Sequence, residues 1–259
     1  VAAESGNNAV TGLDWRTNVR TQVSLAYRSS LSIRGSYGDR TTVSNAIVNR
    51  TRERRFPDLE VDYGKLADVV QLTRFLRSPA LRTGWSWSRS WDYQGNRSVV
   101  TSQSSTHDLR PLLSLRGSLK NGTTADLGVN MRSSYREVTL VGKSTQRDKN
   151  TDVNFTLSRS YSQGQKVNLF GKTSTVRSSV NLSLATVYSR RQGETTIAGS
   201  SQLLNQVDET RLSVTGKGSY GFSTNVTGNA VLGYSGTSNH VLDIQRRSIR
   251  VELSAQFTF

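Results

Sequence analysis

The sequence has little of what organises most soluble domains. It contains no cysteine in 259 residues, which excludes disulfide frameworks and cysteine-ligated metal sites. It contains no run of about 18 consecutive apolar residues, so no transmembrane helix is expected. Only 34% of the residues are hydrophobic and the mean hydropathy is −0.51, which is too little apolar material for a well-packed soluble core.

Disorder is the usual alternative for so polar a chain, but the composition argues against it. There are only 3 prolines, while 4 Trp, 9 Tyr and 7 Phe accompany many β-branched residues. A transmembrane β-barrel reconciles these facts, because lipid covers one face of each strand and the other face can be polar. The first ten residues do not read as a signal sequence, so we expect a mature protein or a fragment.

Alternation with a period of two residues is clearest at the C-terminus. Apolar residues there occupy every second position, and the chain ends on an aromatic residue. We predict that one face of this strand is lipid-facing, through Ile249, Val251, Leu253, Phe257 and Phe259. Arg250, Glu252 and Ser254 should then point inward. A C-terminal strand ending in Phe resembles the signal that outer-membrane barrels present to the barrel-assembly machinery; an edge strand of a soluble sheet is the alternative.

Similar alternation recurs along the chain and predicts ten to twelve antiparallel strands. From Leu13 to Tyr37 the parity is kept throughout, which indicates one very long strand or a tight hairpin. Turn signals separate other segments, at Gln94-Gly95-Asn96, Lys120-Asn121-Gly122, Gln163-Gly164 and Gln192-Gly193. The predicted fold is all-β, an antiparallel transmembrane β-barrel.

One segment interrupts this pattern. Residues 55–81 contain an X-Pro boundary, and the apolar spacing changes to a helical period after Gly64. We predict a short helix over Lys65 to Leu76, at the barrel rim or in the lumen. The expected organisation is therefore barrel strands over 1–54, an irregular segment over 55–81, and barrel strands over 82–259.

The irregular segment also carries a resemblance to a known family. Its residues Phe56, Pro57 and Asp58, then Tyr63, Gly64 and Leu66, lead through Ser78-Pro79-Ala80-Leu81 into Trp85-Ser86-Trp87. This order resembles a unit of the SprA/Sov proteins, the outer-membrane translocons of the type IX secretion system. Later stretches are similar too, at His107 to Leu113, at Lys120-Asn121-Gly122 and at Lys149 to Phe155.

The resemblance implies a function and a set of partners. The chain would be the C-terminal part of a large barrel in the bacterial outer membrane, passing folded exported proteins through its lumen. Its partners would be outer-membrane lipid, the barrel-assembly machinery, the exported proteins, and plug and shuttle subunits. It would need no cofactor and no metal and would not be an enzyme.

The charge of the chain allows a second reading. A net charge of +15 and a pI of about 10.6 would favour nucleic-acid binding in a soluble protein. The basic residues, however, lie on the polar side of predicted strands and do not share a platform with stacking aromatics, so no nucleic acid is expected. We expect a basic lumen face formed by Arg16, Arg20, Arg28, Arg34, Arg132, Lys217 and Arg250. This face is either simply solvated or biases which polypeptides or ions pass.

Catalytic signals are weak. His107 and His240 are the only histidines and lie far apart in the sequence, and neither a nucleophile elbow nor a paired-histidine metal motif occurs. Asp58, Glu60 and Asp62 alternate on one strand face, which fits either a cation site or, more simply, a solvated acidic edge. The alternatives to a translocon are another transport barrel, of the porin or lipopolysaccharide-assembly type, and a soluble β-rich adhesin.

Overall fold

The chain forms one long antiparallel sheet. A computed structural model describes residues 11–25, 29–44, 47–63, 76–94, 100–139, 143–162, 164, 166–169, 172–175, 178–197, 203–223 and 225–257. Eleven strands of this described part follow one another in a single sheet, and each pairs with its neighbours in the chain. A separate two-stranded hairpin lies in the connection between the seventh and eighth strands of that sheet.

The sheet strands are long. They are β1 (Thr11–Leu25), β2 (Ser29–Ser44), β3 (Ile47–Tyr63), β4 (Leu76–Gln94), β5 (Val100–Leu119), β6 (Thr124–Val138), β7 (Ser144–Tyr161), β10 (Val180–Ile197), β11 (Leu203–Ser223), β12 (Val226–Asn239) and β13 (Ile244–Phe257). The hairpin consists of β8 (Lys166–Leu169) and β9 (Lys172–Thr175). Even a 14-residue strand is about 46 Å long at a rise of roughly 3.3 Å per residue, which exceeds the thickness of a hydrocarbon core.

The register gives the sheet one apolar face, because directly opposed residues share a face. Leu253 of β13 opposes Ala230, and Leu184 of β10 opposes Leu157 on one side and Gly216 on the other. Each strand contributes a run of such residues, and together the runs form an apolar belt. In β13 the belt extends from Ile249 to Phe257, nine residues, which is the length that a tilted strand needs to cross a bilayer.

The sheet has no interior of its own. No side chain in the described residues is fully buried, while Ile249 and Leu253 are both 79% exposed. In water such an apolar face would aggregate, whereas in lipid it is satisfied. The all-β antiparallel fold therefore agrees with the sequence-based prediction. Phe259 and Tyr27 lie outside the described residues.

Two strands extend into the segment that the sequence predicts to be irregular. β3 continues to Tyr63 and β4 begins at Leu76, so residues 55–63 and 76–81 are strand. The expected helix over Lys65 to Leu76 lies outside the described residues, except for Leu76, which starts β4. No helix in the described part of the chain is long and apolar enough to cross a membrane.

The turn predictions had mixed outcomes. The Lys120-Asn121-Gly122 turn is confirmed: Gly122 has a φ of 85° and its N–H donates to the Leu119 carbonyl at 2.9 Å. The Gln192-Gly193 turn is wrong, because both residues lie within β10. There Gly193 leaves room for Asp148 across the strand pair, whose carboxylate would be 2.8 Å from an added Cβ. For Leu13 to Tyr37 the sequence allowed one long strand or a hairpin. The structure has the hairpin, formed by β1 and β2.

A charge placed on the apolar face tests its exposure to lipid. We predict that Leu253→Arg destabilises the assembled protein by about 2–4 kcal/mol, because Leu253 lies in the middle of the apolar run of β13. Ser254→Arg is the matched control, since the next residue faces the other side and should cost little. Heat-dependent gel mobility and urea unfolding in lipid vesicles would measure both. Equal stability of the two variants would contradict this facing.

Candidate functional site: the polar face of the sheet

The basic residues singled out from the sequence lie on the face opposite the apolar belt. Arg20 opposes Arg34, Arg132 opposes Asp108, and Lys217 opposes Val231, all at positions that alternate with belt residues. Arg16 in β1 and Arg250 in β13 also lie at positions that face the polar side. Arg28 lies outside the described residues. The structure thus brings six of the seven onto one polar face, distributed from β1 to β13.

Part of this charge is neutralised by ion pairs that cross strands. The Arg34 guanidinium is 3.0 Å from Glu60, and the Arg82 guanidinium is 3.2 Å from the other Glu60 oxygen. Arg82 also donates through Nε to Asp62 at 2.6 Å. These four residues connect β2, β3 and β4. Because the side chains are about a quarter to a half exposed, each pair contributes about 1 kcal/mol or less.

The acidic alternation of β3 is thereby explained. Asp58 is 3.3 Å from Arg55, while Glu60 and Asp62 are held by Arg34 and Arg82. Arginine guanidinium groups pair with all three carboxylates, and no group of three or more possible metal ligands occurs among the described residues. These three acidic residues therefore stabilise the wall through ion pairs. Sequence reasoning missed Arg82; the signal was its position directly opposite Asp62, which only the register reveals.

Closely packed residues lie beside this ion-pair group. Ser32 and Ser86 on the polar face are 6% and 7% exposed, and Gly84 lies between Glu60 and the β5 backbone. An added Cβ at Gly84 would be 3.2 Å from the Arg110 carbonyl oxygen and 3.3 Å from that of Leu59. Both neighbours are backbone atoms, so glycine is required for the close approach of β3, β4 and β5.

Strand irregularities accompany this close approach. The register shifts between Arg34 and Ser36, between Arg55 and Asp58, between Arg82 and Ser86, and between Leu109 and Leu113. The four shifts fall in neighbouring strands at similar heights, and bulges of this kind bend a sheet and increase its twist. The family-like residues Phe56, Pro57 and Asp58 form the β3 shift, and Tyr63 ends that strand. Gly64 and Leu66 lie outside the described residues.

The two histidines lie in separate surroundings in the described structure. His107 stacks on Trp87 with ring centroids 6.3 Å apart. His240 lies in the β12–β13 turn, with Nε2 at 3.1 Å from the Thr210 hydroxyl. The two residues occupy different regions of the sheet and share no partner.

The long open sheet with one apolar and one polar face has counterparts among solved structures. No protein-family model and no curated protein matches the sequence. The alcaligin outer-membrane receptor FauA from Bordetella pertussis matches with a TM-score of 0.57 and 10% identity, over 96% of this chain and 38% of that one. A complex of FpvAI with pyocin S2 matches at 8% identity over 97% of this chain and 39% of that one, with a TM-score of 0.45. FpvA of P. aeruginosa bound to pyoverdines matches at 9% identity over 96% and 40%, also with a TM-score of 0.45.

The fold is that of an outer-membrane barrel wall. The likeness to FauA shows this architecture, and the exposed apolar belt gives the physical reason for it. The bacterial outer-membrane location expected from the sequence agrees with both observations. The chain spans only 38% to 40% of the length of these neighbours. In the described residues β1 and β13 do not pair with each other, so this wall segment has two open edges.

The close approach at Gly84 generates a prediction about the polar face. Gly84→Ala should destabilise the wall by about 1–3 kcal/mol, because the new methyl group meets two backbone carbonyls that cannot move independently. Gly128→Ala is the matched control: Gly128 lies on the same face of β6, and nothing lies within 4 Å of an added Cβ. Urea unfolding of the two refolded variants would separate them. A loss at Gly128 as large as that at Gly84 would contradict the packing argument.

Proposed function

We propose that this chain is a wall segment of a large outer-membrane transport barrel, and specifically of a protein-export translocon of the type IX kind. The observation that carries the proposal is the pairing of a continuous apolar belt with a basic polar face on a sheet whose two edges are open. Lipid would contact the belt, and the polar face would line the path of the cargo.

The open edges favour a barrel larger than the eleven described strands. β1 and β13 each present a row of backbone groups without a strand partner in the described sheet. In lipid each unsatisfied group costs several kcal/mol, so further strands would be needed to close the wall. A wide barrel also suits polypeptide cargo, because pore diameter grows with strand number.

The basic polar face suits a conduit for polypeptides. Arg20, Lys217 and Arg132 form no ion pair among the described residues, so their charges remain available to the lumen. A face with an excess of positive charge attracts segments of negative charge and biases passage. The proposal assigns no catalytic step, no cofactor and no metal to the chain; energy and gating would come from plug and shuttle partners.

The resemblance to SprA and Sov supports the export reading over other transport barrels. The matching residues now have structural places: Phe56, Pro57 and Asp58 at the β3 register shift, and Lys120-Asn121-Gly122 at the β5–β6 turn. An uptake receptor is the second candidate, favoured by the fold shared with FauA. The two functions differ in cargo, since a translocon passes polypeptides outward and a receptor takes up a small ligand.

Photo-crosslinking can identify the cargo. In cells, a photoreactive amino acid at Val231 of the full-length protein should give adducts with secreted polypeptides, because Val231 opposes Lys217 on the polar face. The same photoreactive amino acid at Leu232, which is 62% exposed on the apolar face, should give no adducts with secreted polypeptides. Polypeptide adducts at neither position, with normal assembly, would contradict export. Equal adducts at both would contradict the assignment of the lumen.

A second prediction concerns the open edges. Val1 to Phe259 reconstituted alone in liposomes should not form stable, uniform single channels, because β1 and β13 would lack strand partners in lipid. Conductance recordings in planar bilayers would measure this, with a complete porin as the positive control. Uniform channels would show that the segment closes on itself and would move the assignment to a small porin.

A further inference from the structure

The apolar face of the sheet ends in a group of arginines beside β2, β3 and β4. Arg54 opposes Tyr37 on one side and Arg89 on the other, and Arg52 opposes Asp39 and Trp91 in the next row. Arg50 follows in the row beyond, opposite Tyr93. We call Arg50, Arg52, Arg54 and Arg89 the arginine collar. Arg89 has the parity of the belt residue Trp85 in β4. Because the β3 register shifts between Arg55 and Asp58, the β3 arginines of the collar lie opposite β4 residues of that same parity and face the lipid-contacting side.

The collar carries an excess of positive charge. Asp39 is the one carboxylate among the belt-parity residues of these rows on β2, β3 and β4, which leaves a net charge of +3. Arg50 holds that carboxylate through Nε at 2.7 Å, and Arg52 does so at 3.1 Å. Arg54 and Arg89 pair with no carboxylate in the described part of the chain. Arg89 donates one hydrogen bond, from Nη2 to the Gln103 amide oxygen at 3.0 Å, so its other N–H groups and the guanidinium of Arg54 remain available to an anion.

Aromatic rings hold the collar in place. The Arg89 guanidinium lies 5.0 Å from the centroid of Trp91, and that of Arg52 lies 5.6 Å from the centroid of Tyr93. Trp15 and Tyr37 complete the group in an edge-to-face contact at 5.6 Å. Rings of this kind prefer the headgroup level of a bilayer, and arginine side chains reach toward it from the apolar region.

A shallow cavity joins the collar to the belt. It has a volume of about 310 Å³ and is lined by Val19, Ile33, Gly35, Phe56, Tyr37 and Arg54, among others. Gly35 maintains the space, because an added Cβ there would come within 3.0 Å of the Phe56 ring. The cavity therefore lies on the face that contacts lipid. Apolar side chains line it toward the belt, and Arg54 lines it toward the collar.

We infer that this region binds one phosphate-bearing anionic membrane lipid. Its phosphate would accept hydrogen bonds from Arg54 and Arg89, and one acyl chain would lie in the cavity between Val19, Ile33 and Phe56. Planar guanidinium groups match phosphate geometry, and each arginine near a membrane surface strengthens the attraction to anionic lipid. The lipid site depends on the membrane position of the wall and not on the identity of the cargo.

Native mass spectrometry on the full-length protein in a zwitterionic detergent tests this site. The probes are dioleoyl phosphatidylglycerol, dioleoyl phosphatidylcholine with identical acyl chains, and inorganic phosphate. We expect saturable binding of one phosphatidylglycerol, preferred over phosphatidylcholine and not displaced by millimolar phosphate. The double variant R54Q/R89Q should weaken binding about twenty- to thirtyfold, at about fivefold for each arginine.

The matched control is R40Q/R136Q. Arg40 and Arg136 lie near the same end of the sheet but have the opposite parity, so they face the polar side, and their removal changes the net charge equally. We expect binding to this variant to stay within twofold of the unmodified protein. An equal loss in both double variants would show general charge attraction and overturn the site.

Three further outcomes would also overturn it: unchanged binding to R54Q/R89Q, equal affinity for the two lipids, and full displacement by inorganic phosphate. If R54Q/R89Q does not assemble, the single variant R54Q decides. It breaks no carboxylate pair in the described structure, and we expect it to assemble and to bind phosphatidylglycerol about fivefold more weakly.

Discussion

The whole structure depends on one requirement, which is that every backbone N–H and C=O group in lipid needs a partner within the protein. Antiparallel pairing on both sides meets that requirement for the inner strands of the described sheet, and it leaves the outer edges of β1 and β13 to be covered. The side chains are then free to differ on the two faces. This explains how a chain with only 34% hydrophobic residues can be ordered although none of its described side chains is fully buried.

The two faces use their chemistry for different purposes. On the apolar face, alternation supplies a belt about as wide as a hydrocarbon core, and the arginine collar and its rings follow where the belt ends. On the polar face, arginines and carboxylates of adjacent strands pair, as around Arg82, while Arg20, Arg132 and Lys217 remain unpaired within the described residues. Ion pairs thus connect the strands on the side that is proposed to line the lumen. That side also keeps an excess of positive charge.

The bent region near Gly84 shows how the wall deviates from a regular sheet. Four neighbouring strands change register at similar heights, and the glycine allows β3, β4 and β5 to approach closely. The residues that resemble SprA and Sov coincide with two of these features, the β3 shift at Phe56 to Asp58 and the β5 shift beside Leu113.

The sequence by itself determined the strands, the two faces and the membrane setting. A period of two residues assigns each side chain to a face wherever the strand is regular, so the facing of Leu253 and Arg250 needed no other information. It could not determine which residues meet across strands, because that depends on register: Arg82 joins Glu60 and Asp62, and Arg54 stands between Tyr37 and Arg89, only in the paired sheet. The turn expected at Gln192-Gly193 was wrong for the same reason, since the register places Gly193 inside β10, opposite Asp148. The alternation of the two faces follows from the local sequence. Whether a glycine forms a turn or lies within a strand depends on its strand neighbours, which are distant in the sequence.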